Sequence, residues 1–143
     1  MEGIEVLARM ENLGLTRTEL AALADWKQSR VSEVVTGRRR TPDHVAAKLI
    51  EVGALADSVA ESLYEAGLAQ IEAGAEIALI PSYLDDEALW RDWPDLDGLP
   101  ACVHRAASLE AVRMLADDGA AAAMIDMTDV PVGPASAPQP GGV

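Results

Sequence analysis

The side chains with the clearest chemical use in this sequence are cations, and most of them lie in one short stretch. Residues 1–52 contain 8 Lys/Arg and 8 Asp/Glu, whereas residues 53–143 contain 3 basic and 16 acidic residues. Six of the cations lie between Arg17 and Arg40. A basic stretch of this kind is the electrostatic footprint of a nucleic-acid-binding segment. The acidic remainder, which carries the whole net charge of −13, is expected to repel DNA and limit non-specific binding.

Other reactive residue types do not form a pattern that catalysis or metal binding requires. Cys102 and His104 are two candidate metal ligands, but a structural zinc site needs four. The acidic residues around Trp90 and Trp93 are interpreted as a solvated helix edge rather than a catalytic pair of carboxylates. The serines lack the surroundings of a nucleophile elbow. We therefore predict no enzyme, no cofactor and no metal.

Two short helices must position the basic stretch. Thr16 and Glu19 have the spacing of a capping box, which begins a helix over residues 17–24. A second helix over residues 28–36 has valines at positions 31, 34 and 35 on its inward face. Gly37 is the expected left-handed residue that ends this helix.

The turn between these helices departs from the usual residue types. Asp25 tolerates left-handed backbone geometry better than most residues do. Lys27 is a poor cap for the second helix, so Asp25 is expected to cap it instead. The small side chain of Ala21 allows the two helices to approach closely where they cross.

This stretch resembles the helix-turn-helix of the Cro/repressor (Xre-like) family. The match is uninterrupted and consists of Leu15-Thr16-Arg17, Glu19-Leu20-Ala21, Val31-Ser32, Val34 and Gly37. It departs where Asp25 replaces the turn glycine and Lys27 replaces the serine cap. The resemblance implies a lambda-repressor-like N-terminal domain that binds double-stranded DNA, with its second helix in the major groove.

The resemblance also implies which residues face the base edges. They are the outward positions on the second helix and just before it, namely Lys27, Gln28, Ser29, Ser32 and Glu33, with Arg30 toward the flank of this DNA-binding set. The Gln28 amide can bind adenine with two hydrogen bonds, and Lys27 can reach guanine or a phosphate. Glu33 can accept from a cytosine amino group or orient Arg30.

Phosphate contacts are expected on both sides of that helix. Arg38, Arg39 and Arg40 occupy the loop that meets the sugar-phosphate backbone in this family. Arg17, at the start of the preceding helix, would meet a phosphate near a helix N-terminus.

The predicted fold is mainly α and has three parts. Residues 1–53 form the helix-turn-helix domain, with a first helix over 3–13 and a fourth that Thr41 caps, Pro42 opens and Gly53 ends. Residues 54–127 form a small α+β dimerisation region with a helix over 54–73, strands at 76–81, 101–104 and 121–127, and helices at 85–93 and 108–117. Ser108 would cap the last helix. The Pro- and Gly-rich residues 128–143 are predicted to be disordered.

The second half resembles the anti-CRISPR-associated autorepressors of the second type and related bacterial regulators. The matches are short: Thr41-Pro42-Asp43-x-Val45, Tyr83-Leu84-Asp85 and Asp117-Asp118-Gly119-Ala120. The resemblance implies a C-terminal α+β region that dimerises, and it adds no catalytic residue.

These features predict a homodimeric transcriptional regulator that represses by binding a palindromic operator. The repressed promoter could be its own, which would make it an autorepressor. The open edge of the strand at 76–81 is the expected surface for two-fold pairing. One alternative is an antitoxin whose acidic half neutralises a basic toxin, and another is a sensor whose α+β half binds a metabolite. A single cysteine, no signal pattern and no long apolar run predict a cytoplasmic protein without a membrane span.

Overall fold

The computed structural model describes residues 1–130, which contain six α-helices, one short 3-10 helix and two β-strands. Their bounds in chain order are α1 Gly3–Leu13, α2 Arg17–Leu23, α3 Gln28–Val35, α4 Asp43–Glu72, β1 Ala78–Ser82, α5 Asp86–Asp92, the 3-10 helix Pro94–Leu96, α6 Ala101–Asp117 and β2 Ala122–Asp126. Two compact units divide the chain, the first over Met1–Leu55 and the second from Ala56 onward. The predicted fold, mainly α with a small α+β second half, is confirmed.

The first unit is held together by local signals and a small apolar core. The capping box is present, since the Glu19 N–H donates to the Thr16 hydroxyl at 3.2 Å and the Thr16 N–H donates to the Glu19 carboxylate at 3.0 Å. Gly37 has a φ of 79°, so it ends α3 in the left-handed conformation, as predicted. The buried core comprises Val6, Met10, Leu13, Leu15, Leu20, Ala21, Val31, Val34, Val45 and Leu49.

Helix α4 is longer than predicted and begins differently. Gly53 does not end it, and one helix of 30 residues replaces the two expected helices. A helical glycine costs only about 1 kcal/mol relative to alanine, and the buried positions continue past it at Ala56, Val59 and Leu63. Thr41 does not cap the helix either, because its buried hydroxyl has no hydrogen-bond partner.

The second unit contains a two-stranded parallel sheet. Strands β1 and β2 pair in the register Ala78↔Ala122 to Ser82↔Asp126, and α6 connects them and packs on both. The strand predicted at residues 101–104 is wrong, because these residues form the first turn of α6. The sequence of this turn resembles a short buried strand because its side chains at 101, 103 and 104 are those of buried positions. Ser108 lies inside the helix, and its hydroxyl donates to the Pro81 carbonyl of β1 at 2.8 Å.

A buried polar network joins α5 to the sheet. The Tyr83 hydroxyl donates to the Asp92 carboxylate and accepts from the Trp93 indole N–H, each at 3.0 Å. Arg91 pairs with Asp92 at 2.8 Å. Burial opposes the charged form of Asp92, but the hydrogen bonds from Arg91 and Tyr83 hold its pKa below the ordinary value. The interpretation of this acidic stretch as a solvated edge is therefore wrong for Asp92.

The predicted disordered segment, residues 128–143, lies mostly outside the described residues. Thr128 is described, and it is fixed by two contacts with the second unit. Its hydroxyl accepts from the Leu84 N–H at 2.8 Å, and its carbonyl accepts from the Arg91 guanidinium at 3.1 Å. Residue 128 thus belongs to the folded part of the chain.

Candidate nucleic-acid interface

Helix α3 is set against α2 by a tight turn with a left-handed residue. Asp25 has a φ of 51°, so it takes the role of the turn glycine as predicted. The Trp26 N–H donates to the Ala21 carbonyl at 2.8 Å, which closes the turn onto the buried Ala21. The Trp26 ring lies edge-on to His44, with ring centroids 5.9 Å apart. These contacts link the turn both to α2 and to the start of α4.

The two faces of α3 differ sharply in burial. Val31 and Val34 are each 1% exposed, and they anchor the inner face in the core. The opposite face is polar. Lys27, Gln28, Ser29 and Arg30 are exposed, and Ser32 and Glu33 are half-buried. Every residue predicted to face base edges therefore lies off the buried side of the helix.

The start of α3 carries no side-chain cap. Lys27 is the N-cap residue and makes no capping hydrogen bond, so the expectation that Asp25 caps this helix is wrong. With a left-handed φ at position 25, the extended N-cap position falls to Lys27. The first N–H groups of a helix lack intrahelical partners, and those of α3 receive no bond from the Lys27 side chain.

The basic loop, Arg38–Arg40, turns back onto α3 immediately after Gly37. The Arg38 and Arg39 N–H groups both donate to the Glu33 carbonyl, at 2.8 and 3.2 Å. The Arg39 side chain also pairs with the Glu33 carboxylate at 2.5 Å. Arg30 was one of two partners predicted for Glu33, the other being a cytosine amino group, and the structure pairs Glu33 with Arg39 instead of Arg30. This pair ties the base-facing helix to the phosphate-facing loop.

An open cleft of about 400 Å³ lies beside this loop. It is lined by Met1, Glu2, Gly3, Gly37, Arg38, Arg39, Arg40, Thr41 and Asp43. All three arginines of the loop are exposed, whereas the Thr41 hydroxyl is buried and has no hydrogen-bond partner. Sequence reasoning found the arginines but missed the cleft, because the approach of α1 to this loop is a tertiary contact.

Gly3 explains how α1 reaches that cleft. A Cβ atom at Gly3 would lie 2.1 Å from the Val34 carbonyl oxygen, so only glycine permits this close approach to the backbone of α3. The sequence showed only a glycine at the first position of a helix. Without the contact to Val34, other small residues would serve equally well at that position. Gly3 therefore allows α1 to pack closely against the backbone of α3 and does not itself belong to the polar face of α3.

Arg17 lies apart from these groups on α2. It is the first residue of that helix and is exposed. Its position leaves the side chain available to an anion near the N-terminus of α2, where the helix dipole favours negative charge.

Within residues 1–130, no cluster of three or more His, Cys, Asp or Glu side chains has the geometry to hold a metal ion. None of the helices in this part of the chain combines the length and apolar character needed to cross a membrane.

Comparison with known families agrees with the geometry of this unit. The helix-turn-helix family model matches residues 6–53, which include most of α1, all of α2 and α3, and the first part of α4. A comparison with curated proteins found no match. The prediction of a Cro/repressor-type helix-turn-helix is confirmed for this segment, and the segment supports a DNA-binding regulator in general. The resemblance of the second half to anti-CRISPR-associated autorepressors stays a prediction.

Proposed function

We propose that this protein is a homodimeric transcriptional repressor that binds a palindromic operator. The observation that carries the proposal is the exposed polar face of α3, backed by the buried Val31 and Val34, within a segment that matches the helix-turn-helix family. In such domains this helix enters the major groove with its N-terminal residues against the base edges. The repressor would act by occupying a promoter and excluding the polymerase.

Sequence choice is assigned to the exposed end of α3. Gln28 is the first helical residue, and its amide offers the donor and acceptor that adenine requires. Lys27 and Ser29 flank it, and Arg30 and Ser32 extend the same surface. Glu33 is held by Arg39 at 2.5 Å, so its carboxylate is fixed in place where it would meet a cytosine amino group.

Affinity is assigned to phosphate contacts on both sides of that surface. Arg38, Arg39 and Arg40 line the cleft beside α3, and Arg17 stands at the start of α2. Phosphate contacts of this kind set the register and orientation of the protein, while base contacts set specificity.

A dimer is proposed because one helix-turn-helix reads too few base pairs to define a genomic site. Two-fold pairing of two such units would place half-sites about 34–36 Å apart, or a multiple of that distance. We assign residues 1–53 to DNA binding and residues 54–127 to dimerisation. The acidic second half would keep non-specific association with DNA weak.

Selection of bound fragments from a random pool of double-stranded DNA tests the proposal directly. The expected product is an enriched sequence with two inverted half-sites. Recovery of no enriched sequence, or of a single asymmetric half-site, would contradict a palindromic operator.

The basic loop is tested by the salt dependence of binding. Replacing Arg38, Arg39 and Arg40 together with alanine removes three phosphate contacts from each protomer. The slope of log K against log salt should flatten by about 2.7 for one bound protomer and by about 5.4 for a dimer. Binding to operator and to random DNA should both weaken, and operator binding should weaken somewhat more because Glu33 loses its Arg39 partner, as measured by fluorescence titration between low and moderate salt.

A charge-matched variant controls for the loss of three cations. Arg9, Lys48 and Arg113 each form a surface ion pair with a neighbouring glutamate and lie outside the predicted contact set. Their combined replacement by alanine should leave the slope nearly unchanged. Equal slopes for the two triple variants would show that the loop arginines are merely solvated.

A further inference from the structure

The outer edge of β1 is closed by side chains. The Ala78 N–H donates to the Ala121 carbonyl and the Met127 N–H donates to the Ser82 carbonyl, both at 2.9 Å. Backbone groups alternate in direction along a strand, so positions 78, 80 and 82 face β2, and Leu79 and Pro81 face the other way. The expected open edge at residues 76–81 lies on that side.

Each backbone N–H or carbonyl of β1 that faces away from β2 either has a hydrogen-bond partner or, in the case of the proline N–H, does not exist. The Leu79 N–H and carbonyl bond the two ends of the Gln70 amide at 2.8 and 2.9 Å. Pro81 has no N–H, and its carbonyl accepts from the Ser108 hydroxyl at 2.8 Å. The amide of Gln70 thus takes the place of a neighbouring strand, and the expectation that β1 offers a pairing edge is wrong.

The outer edge of strand β2 is open, in contrast to that of β1. By the same alternation, the backbone groups of Ala122, Met124 and Asp126 face away from β1. Among residues 1–130, no hydrogen bond reaches these outward N–H and carbonyl groups. The strand is apolar yet exposed, with Met124 39% and Ile125 37% accessible. An open apolar edge of this kind is a template for pairing with another strand.

We infer that β2 pairs antiparallel with β2 of a second copy, around a two-fold axis at Met124. This inference rests on the homodimer of the proposed function and names its interface. A two-fold axis makes any such contact self-complementary, and the outward positions of β2 satisfy that condition. Met124 faces its own counterpart, and the two residues exchange both backbone hydrogen bonds.

Charge and strand overlap together favour this register. Centring the pair on Met124 places each Asp126 opposite the small, uncharged Ala122 of the other copy. Centring it on Asp126 would place two carboxylates directly opposite one another, which is destabilising. With the axis at Met124, the whole of β2 in one copy also lies opposite the whole of β2 in the other. Side chains on opposite faces of β2, Met124 and Ile125 among them, would then become less exposed.

The first test is a proline at the axis. Met124→Pro removes an outward N–H and the methionine side chain but no backbone group that faces β1, so the ladder with β1 is retained. It should raise the dimer dissociation constant by about 30-fold or more, because the two hydrogen bonds at the axis are lost. Met124→Lys keeps the backbone intact and places two cations across the axis, so it should also produce a monomer. Light scattering of the full chain without DNA gives the oligomeric state, and circular dichroism verifies that each variant is folded.

A disulfide reports the register itself. In a Cys102→Ser background, Met124→Cys should give a covalent dimer on mild oxidation, since opposed Cα atoms about 5.5 Å apart fall within disulfide range. Leu79→Cys is the matched control, because Leu79 is 46% exposed but lies on the closed strand. It should remain uncrosslinked.

The outcomes separate this inference from the proposed function. A wild-type dimer that persists in folded Met124→Pro and Met124→Lys variants would overturn β2 pairing and leave operator binding standing. A wild-type chain that is monomeric at micromolar concentration would also overturn it. Loss of the dimer in both variants, with crosslinking at position 124 alone, would support it even if the random DNA pool yielded no operator.

Discussion

The buried imidazole of His104 should make the stability of this protein depend on pH. It is completely inaccessible and lies edge-on to the rings of Tyr83 and Trp93, with centroids 5.4 and 5.2 Å away. Its Nδ1 is 3.3 Å from the Ser108 hydroxyl, and its Nε2 has no hydrogen-bond partner. Burial, with a smaller contribution from the charge of Arg105, lowers the pKa of His104 from 6.5 to about 4.

The sign and size of the effect follow from that pKa. Between pH 6.5 and pH 4 the unfolded chain binds a proton at His104 and the folded chain does not. The free energy of unfolding is therefore highest above pH 6.5 and falls as the pH is lowered through this window. A difference of 2.5 pKa units corresponds to about 3 kcal/mol at the acidic end.

Urea unfolding at pH 7 and pH 4.5 measures this loss. His104→Leu keeps an apolar side chain of similar bulk in the site, and it should remove about 2–3 kcal/mol of the difference between the two pH values. His44→Gln, at an exposed position on α4, is the matched control for the removal of a histidine elsewhere in the chain. If wild type and His104→Leu lost the same stability between pH 7 and pH 4.5, the reasoning about the buried neutral imidazole would be refuted.

Two further predictions concern the helix-turn-helix unit. Gln28→Ala should weaken operator binding by about 1–3 kcal/mol and relax preference at one base position, while random DNA binds as before; a parallel loss on both DNAs in titration would make Gln28 a positioning residue. Gly3→Ala should lower the free energy of unfolding by about 1–3 kcal/mol, because its Cβ would meet the Val34 carbonyl at 2.1 Å. Gly53→Ala, where a Cβ meets nothing within 4 Å, should instead gain about 0.5–1 kcal/mol in urea unfolding, and equal effects at the two glycines would contradict the contact.

The parts of the structure that depend on neighbouring residues were predictable from the sequence. The Thr16–Glu19 capping box, the left-handed Asp25 and Gly37, and the spacing of the α3 valines all act within one or two turns of chain. These features also determine which face of α3 is exposed, so the whole predicted base-facing set was found off the buried side. The contacts of this set with DNA remain proposals.

Most of the errors have a different physical origin, which is contacts that the local sequence pattern does not record. Residues 101–104 look like a strand because the first turn of α6 carries side chains that tertiary packing buries. Asp92 looked solvated because no local pattern indicates its hydrogen bond from Tyr83, although its other partner, Arg91, is its neighbour in the chain. Arg30, on the same helix, was one of two partners predicted for Glu33, whereas the reversal after Gly37 brings Arg39 to it. The closed edge of β1 depends on the Gln70 amide of α4, which no pattern within the strand records.

The bond between Gln70 and Leu79 also bears on the order in which the chain can fold. Strand β1 cannot meet β2 until nearly all of the described chain has been synthesised, because their pairing is a contact of high sequence separation and such contacts form slowly. Gln70 is only nine residues from Leu79, so its amide is available as soon as β1 leaves the ribosome. The groups that it bonds face away from β2, so it closes one side of β1 and leaves the other side, at Ala78, Ile80 and Ser82, for β2. Once this bond has formed in a nascent chain, β1 can accept a neighbouring strand on one side only.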